Sequence, residues 1–290
     1  MSSSIVTHSP PSLNERQRAA LISLLADDDQ NVYQTVRTKI LSYGPVVREW
    51  LQPYTLNSDP VLRRRAQEIV HHFLRQSADT AFMAFCHSKG EDLDVEEGSW
   101  LLAKTSYPEI NVAAYQALFD NYCGDLREQI QVAADPERVL VTINHYLFDN
   151  LGFVGNEKNY YDPDNIYLNR VVDRRTGIPI SLSMVYLFVT RRLHLPVTGI
   201  GLPGHFICRY QTAKTEIFID PFKQGKFLTK ADCIKYLLQM NHGLQEGYLA
   251  PVSPRRILLR MCSNLHQIYL HLKQADESAR LQRYLVALAK

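Results

Sequence analysis

The chain has 290 residues, a formal net charge of +2, 46% hydrophobic residues and 21% charged residues. That is enough apolar chain for about two domains with buried cores. A balance so near neutral gives no whole-chain attraction to nucleic acid or to a membrane surface. The five cysteines are Cys86, Cys123, Cys208, Cys233 and Cys262. They are odd in number, widely spread and without a CxxC pair, which argues against a disulfide framework or a zinc site. No apolar run reaches the length of a membrane span. The start, MSSSIVTHSPPSLNE, lacks the basic and apolar regions of a signal peptide and reads as loose over residues 1–12. A cytoplasmic protein with no cofactor, no metal, no nucleic-acid partner and no membrane partner is expected.

Residues 14–88 carry a helical pattern. ERQRAALISLLA sets Ala19, Leu21, Ile22 and Leu25 on one stripe, and NVYQTVRTKILSYG repeats it before stopping at Gly44. SDPVLRRRAQEIVHHFL does the same from a Ser58/Asp59 cap with Pro60 in the first turn. Val32 and Val61, like Ile40 and Ile69, are 29 residues apart. Such a period points to stacked hairpins of the HEAT type, or to an irregular bundle. Residues 91–149 read as further helices, broken at Pro108, the last beginning at Asp135–Pro136. Residues 154–175 are polar and rich in Asn, Asp and Tyr, and read as a long ordered loop ending in a short helix.

The segment 179–193 opens with Pro179 after Gly177 and is apolar nearly all round. A helix of that kind lies in the middle of a domain. The period then changes to two. PVTGIGL, HFICRY and TEIFID read as strands, the last two as a hairpin with its loop over Gln211–Lys214. That loop sets Arg209 opposite Glu216, Ile207 opposite Phe218, Phe206 opposite Ile219 and Cys208 opposite Ile217. It also sets His205 opposite Asp220. TKADCIKYLLQM reads as a helix capped by Thr229, and the C-terminal stretch as two helices with a turn near Ala275–Asp276.

A central helix followed by a strand histidine and a next-strand aspartate is the order of a Cys–His–Asp site. There the thiol is the nucleophile, the histidine moves its proton and the carboxylate orients the imidazole. The head of this helix has Thr176, Ser181 and Ser183, and no cysteine. A hydroxyl is a far poorer nucleophile than a thiol and needs a well-aligned base. Cys208 stands at an odd offset from His205 and is expected in the core, like the other four cysteines. A buried His205–Asp220 pair with only a structural role is the plain alternative.

The segment from GFVGNEKNYYDPDN through GIPISL, LPGHF and IDPF resembles the transglutaminase-like core of the SirB-type family, whose members carry a tetratricopeptide-like helix pair. A related core occurs in a eukaryotic F-box protein. The resemblance covers roughly residues 90–290. It implies an α+β fold in which a central helix packs on a small antiparallel sheet, a transglutaminase-like or papain-like core flanked by helical hairpins at both ends. Residues 1–89 are then a helical, HEAT-like region, 90–250 the transglutaminase-like domain with its helical lead-in, and 251–290 the C-terminal helix pair. Carried over by position, His205 and Asp220 match the family's histidine and aspartate. Ser181 is nominated for the nucleophile position, which falls near residues 179–181. The family commonly has Ser or Thr there, and its members are linked to invasion-gene regulation or ubiquitin ligase complexes without a settled reaction.

Three functions follow. The first is a non-catalytic, pseudoenzyme-like protein that binds a protein or peptide through the degenerate cleft. The second is a serine-dependent amidase or peptidase using Ser181, His205 and Asp220. The third makes the pair structural and assigns function to the N-terminal helices.

Overall fold

The structure is a computed structural model, and it describes residues 13–88, 90–130, 135–240 and 246–290. The Ser/Pro-rich start lies outside the described residues. The chain divides into two compact units, Met1–Thr80 and Ala81–Lys290.

The first unit is helical. Helix α1 (Glu15–Leu25) begins with a reciprocal cap between Asn14 and Gln17, and α2 (Gln30–Leu41) with Asp29. A short α3 (Val47–Leu51) leads to α4 (Pro60–Cys86), whose first free N–H groups are taken by the Asp59 carboxylate. Ile22, Leu25, Val36, Ile40, Leu51, Ala66, Ile69 and Phe73 form its core, so the residues at the 29-residue spacing, Ile40 and Ile69, are both interior.

The second unit is α+β. After α5 (Val95–Lys104), α6 (Val112–Gln129) and α7 (Pro136–Asn144), a two-residue strand β1 (Val154–Gly155) pairs in parallel with β2 (Thr176–Gly177). Between them a 3-10 turn at Pro163–Asn165 and α8 (Leu168–Arg174) give the polar loop its order. Helix α9 (Pro179–Arg192) is buried from Pro179 through Thr190, as an all-round apolar helix requires. It packs against α6 and α8 and against the strands β3 (Val197–Ile200) and β4 (Ile207–Gln211). With β5 (Glu216–Asp220) and β6 (Lys226–Leu228) these strands make a four-stranded antiparallel sheet in sequence order. Alternation along the strands buries both faces. Phe206, Cys208 and Ile219 join the α9 core, while Ile207 and Phe218 pack with Cys233 and Leu237 of α10 (Lys230–Gln239).

The chain closes with the antiparallel pair α11 (Pro254–His271) and α12 (Ala275–Leu288). Its turn comes earlier than expected, at Leu272–Gln274, with Lys273 in the left-handed region at φ 57°. Arg255 is buried and ties this pair to the end of α4. Its guanidinium donates to the carbonyls of Cys86, Ala287 and Leu288.

The hairpin register differs from the expected one by two residues. The pairs are Cys208 with Ile219, Arg209 with Phe218, Tyr210 with Ile217 and Gln211 with Glu216. The cause lies in the turn. Thr212 N–H donates to the Thr215 carbonyl at 2.9 Å, and the Thr212 hydroxyl accepts from Lys214 and Thr215 N–H. Thr212 and Thr215 therefore close the hairpin, one residue later than the expected loop. A shift of two keeps every side chain on its face, whereas a shift of one would have inverted the sheet. Arg209 and Glu216 still meet, diagonally, at 3.5 Å.

Candidate functional site

His205 precedes β4 and sits at the end of a tight turn. Its N–H donates to the Leu202 carbonyl at 3.1 Å, across Pro203 and Gly204, and Gly204 has φ +72°. Proline followed by a left-handed glycine is the sequence of a type II turn. LPGHF is thus a device for turning the histidine back onto the sheet. Asp220 ends β5 and caps the 3-10 turn Pro221–Lys223. Its Oδ1 accepts from Phe222 N–H at 3.1 Å and Lys223 N–H at 3.3 Å. Those bonds aim Oδ2 at His205 Nε2, 2.8 Å away. Asp220 is buried and the His205 side chain is only 16% exposed. Phe222 and Tyr236 each place a ring 6.0 Å from the imidazole. Nδ1 of His205 has no hydrogen-bond partner among the described residues.

Ser181 is in a different situation. It is fully buried, accepts from the Ile178 N–H at 3.0 Å, and donates to the Asn165 carbonyl at 2.5 Å. Its hydrogen bonds go to backbone, and none reaches His205 among the described residues. Gly177 makes this approach feasible, because a Cβ there would stand 2.6 Å from the Ser181 hydroxyl. Asn165, itself buried, carries the link onward. Its side-chain amide donates to the carbonyls of Asn159 (2.7 Å) and Tyr160 (3.2 Å), so the head of α9 and the 154–175 loop are one hydrogen-bonded unit. Ser183 likewise faces backbone, donating to the Phe206 carbonyl at 3.4 Å.

All five cysteines are buried. Burial pushes the thiols of Cys123 and Cys233 up to about 11 and that of Cys86 up to about 12. Burial raises those of Cys208 and Cys262 as well. None is a thiolate nucleophile near neutral pH. Among the described residues, no group of His, Cys, Asp and Glu is arranged to hold a metal ion, and no helix is long and apolar enough to cross a membrane.

Sequence reasoning missed Arg260. It lies on α11, a lone basic residue in the apolar stretch ILLRMC, and its Nη2 donates to the His205 carbonyl at 2.9 Å. Its guanidinium also stands over the Phe206 ring, 5.8 Å from the centroid. Asn165 and Tyr236 were also missed. Only the tertiary contacts give them a place beside the site.

The model of the transglutaminase-like superfamily matches residues 113–263, which span α9, the sheet and most of α11. A UPF0162 protein of Xylella fastidiosa (strain 9a5c) is 34% identical over 197 residues, covering 66% of this chain and 70% of the relative. A UPF0162 protein of Pseudomonas aeruginosa is 35% identical over 121 residues, covering 41% of this chain and 44% of its own length. F-box only protein 21 of Mus musculus is 39% identical over 136 residues, 44% of this chain and 21% of that protein. No solved structure matches. Family model, relatives and the helix–histidine–aspartate order agree, and the chain belongs to the transglutaminase-like superfamily.

Proposed function

We propose that this protein is a non-catalytic member of its superfamily that binds a protein or peptide at the cleft beside His205 and Asp220. One observation carries the reading. The hydroxyl nominated as nucleophile, that of Ser181, is committed to Ile178 and Asn165 backbone groups, and every thiol is buried. A base without a nucleophile in reach can position a ligand through a hydrogen bond and has nothing to acylate. The C-terminal pair α11–α12, with its expected tetratricopeptide-like character, would supply one wall of that cleft through Arg260. Similarity over 136 residues to a protein named F-box only protein 21 supports an interaction role in this reading.

Treatment of the full chain with a fluorophosphonate probe tests this against the serine amidase reading. No labelling is expected at Ser181. Labelling there that disappears in His205→Ala would overturn the proposal in favour of Ser181–His205–Asp220 chemistry. Turnover of a glutamine-donor peptide by the native chain would overturn it as well.

A further inference from the structure

The tyrosines of the 154–175 loop have no part in the His205–Asp220 pair. Tyr160 and Tyr161 instead form one side of a groove of about 540 Å³, and α11 forms the other with Asn264, Gln267 and His271. Those three residues lie on one face of the helix, at i, i+3 and i+7. The buried Ile178 gives the groove an apolar floor. Neither His205 nor Asp220 lines it, so it is a second surface, separate from the cleft described above. The rings of Tyr161 and His271 stack at 4.2 Å, with their planes 22° apart, and Tyr160 meets Tyr161 edge-on at 5.7 Å and 75°. Three rings thus make a row, with a notch where Tyr160 turns away from Tyr161. The Asn165 amide holds the Asn159 and Tyr160 carbonyls, so the tyrosines are set in place before any ligand arrives.

The polar groups of the groove are unspent. The side-chain amides of Asn264 and Gln267 and the hydroxyls of Tyr160 and Tyr161 have no hydrogen-bond partner among the described residues. No carboxylate, lysine or arginine lines the groove, so it offers a charged segment no counter-ion. None of the lining residues belongs to a strand, so a peptide cannot dock here by extending a sheet. A helix would leave the amides unmatched, because its own backbone groups are bonded internally. An uncharged polyproline II segment answers each of these features. Its prolyl rings fit between aromatic ridges, and its carbonyls are all free to accept from amide and phenol donors. The lengths agree as well. Asn264 to His271 spans about 10 Å of helix, and one polyproline turn of three residues spans about 9 Å.

We infer that the groove between Tyr160–Tyr161 and α11 is a docking site for a proline-rich, uncharged segment of a partner protein in the polyproline II conformation. A prolyl ring sits in the notch beside Tyr161, and the Asn264 and Gln267 amides donate to the carbonyls of the turn.

The test uses the full chain, with NMR observation of the side-chain amide signals of Asn264 and Gln267, each assigned by its loss in the alanine variant. N-acetyl hexaproline amide should shift both signals saturably, and the flexible N-acetyl-(Gly-Ser)3 amide should shift them far less. Tyr161→Ala should weaken hexaproline binding about tenfold, as loss of a stacking partner does. Gln267→Ala, at an exposed position that the fold tolerates, should weaken it about fivefold. Leu238→Ala, at an exposed apolar residue of α10, should leave it unchanged. Absence of a saturable shift with hexaproline would overturn the inference, and so would equal affinity for the Gly-Ser peptide. Tighter binding of maltohexaose at the same signals would overturn it in favour of a carbohydrate, the other uncharged ligand that aromatic rings and amides accept. Hexaproline binding that survives Tyr161→Ala and is lost in His205→Ala would also overturn it, and would place the peptide in the cleft of the proposed function.

Discussion

Nε2 of His205 meets Oδ2 of Asp220 at 2.8 Å although the two residues are not directly opposed. Continuing the pairing of Cys208 with Ile219 by one step sets Ile207 opposite Asp220, with His205 two residues further on. The Leu202–His205 turn closes that gap. The other carboxylate oxygen is held by two backbone N–H groups, so the pair is oriented from the aspartate side.

This arrangement predicts a tautomer. Neutral His205 should carry its proton on Nε2, donating to Asp220, and leave Nδ1 as an acceptor. In Asp220→Asn the Phe222 and Lys223 N–H groups should hold the amide oxygen, turning the NH2 toward His205. The proton should then move to Nδ1, since two donors cannot face each other. Long-range ¹H–¹⁵N correlation of the imidazole reads this directly. An Nδ1-protonated ring in the native chain would refute it.

Ser181→Ala should destabilise the fold without touching any chemistry. It removes the 2.5 Å donor to the Asn165 carbonyl and leaves the Ile178 N–H with only a long contact of 3.4 Å to that same oxygen. Unsatisfied buried groups of this kind cost about 1–3 kcal/mol. Urea denaturation would show a lower midpoint with an unchanged slope. In Ser181→Cys the new thiol should resist iodoacetamide as Cys208 does, with no dependence on His205. An alkylation rate that falls in the His205→Ala background would restore position 181 as a nucleophile site.

Arg255→Met should be among the more damaging single changes in the second unit. The variant keeps much of the side-chain volume but strips donors from the carbonyls of Cys86, Ala287 and Leu288 at the ends of α4 and α12. Charged donors to buried helix ends contribute about 1.5–3 kcal/mol, so a loss of about 3 kcal/mol in urea is expected. A loss below about 1 kcal/mol, the range of surface substitutions, would contradict this role.

Alkaline pH should destabilise the protein through its buried thiols. The folded-state pKa of Cys123 and Cys233 is about 11 and that of Cys86 about 12, against about 8.5 for a free thiol. Raised values mean the folded chain holds these protons more tightly. The stabilisation is complete below the unfolded pKa and is lost as pH rises through the folded values. The thermal midpoint should therefore fall from about pH 8.5 upward, and fall less steeply in Cys233→Ala. Identical slopes in the two proteins would mean that Cys233 contributes nothing.

The sequence alone determined the parts of this fold that repeat along the chain. Helical and strand periods, the Thr229 and Asp59 caps and the all-apolar 179–193 segment are local signals, and local sterics and burial read them the same way in any context. The LPGHF and IDPF motifs also specified their own turns, so His205 and Asp220 could be identified as partners even from a register displaced by two residues. Parity survives such a shift. Tertiary structure alone decided where Ser181 points. Its spacing at the head of α9 suits a nucleophile, but its hydroxyl meets a carbonyl 16 residues earlier in the chain, Asn165. Arg260 was decided the same way, 55 residues beyond His205. Pairings at such separations depend on how helices and loops dock, and the local sequence carries no record of the surface that each side chain will meet.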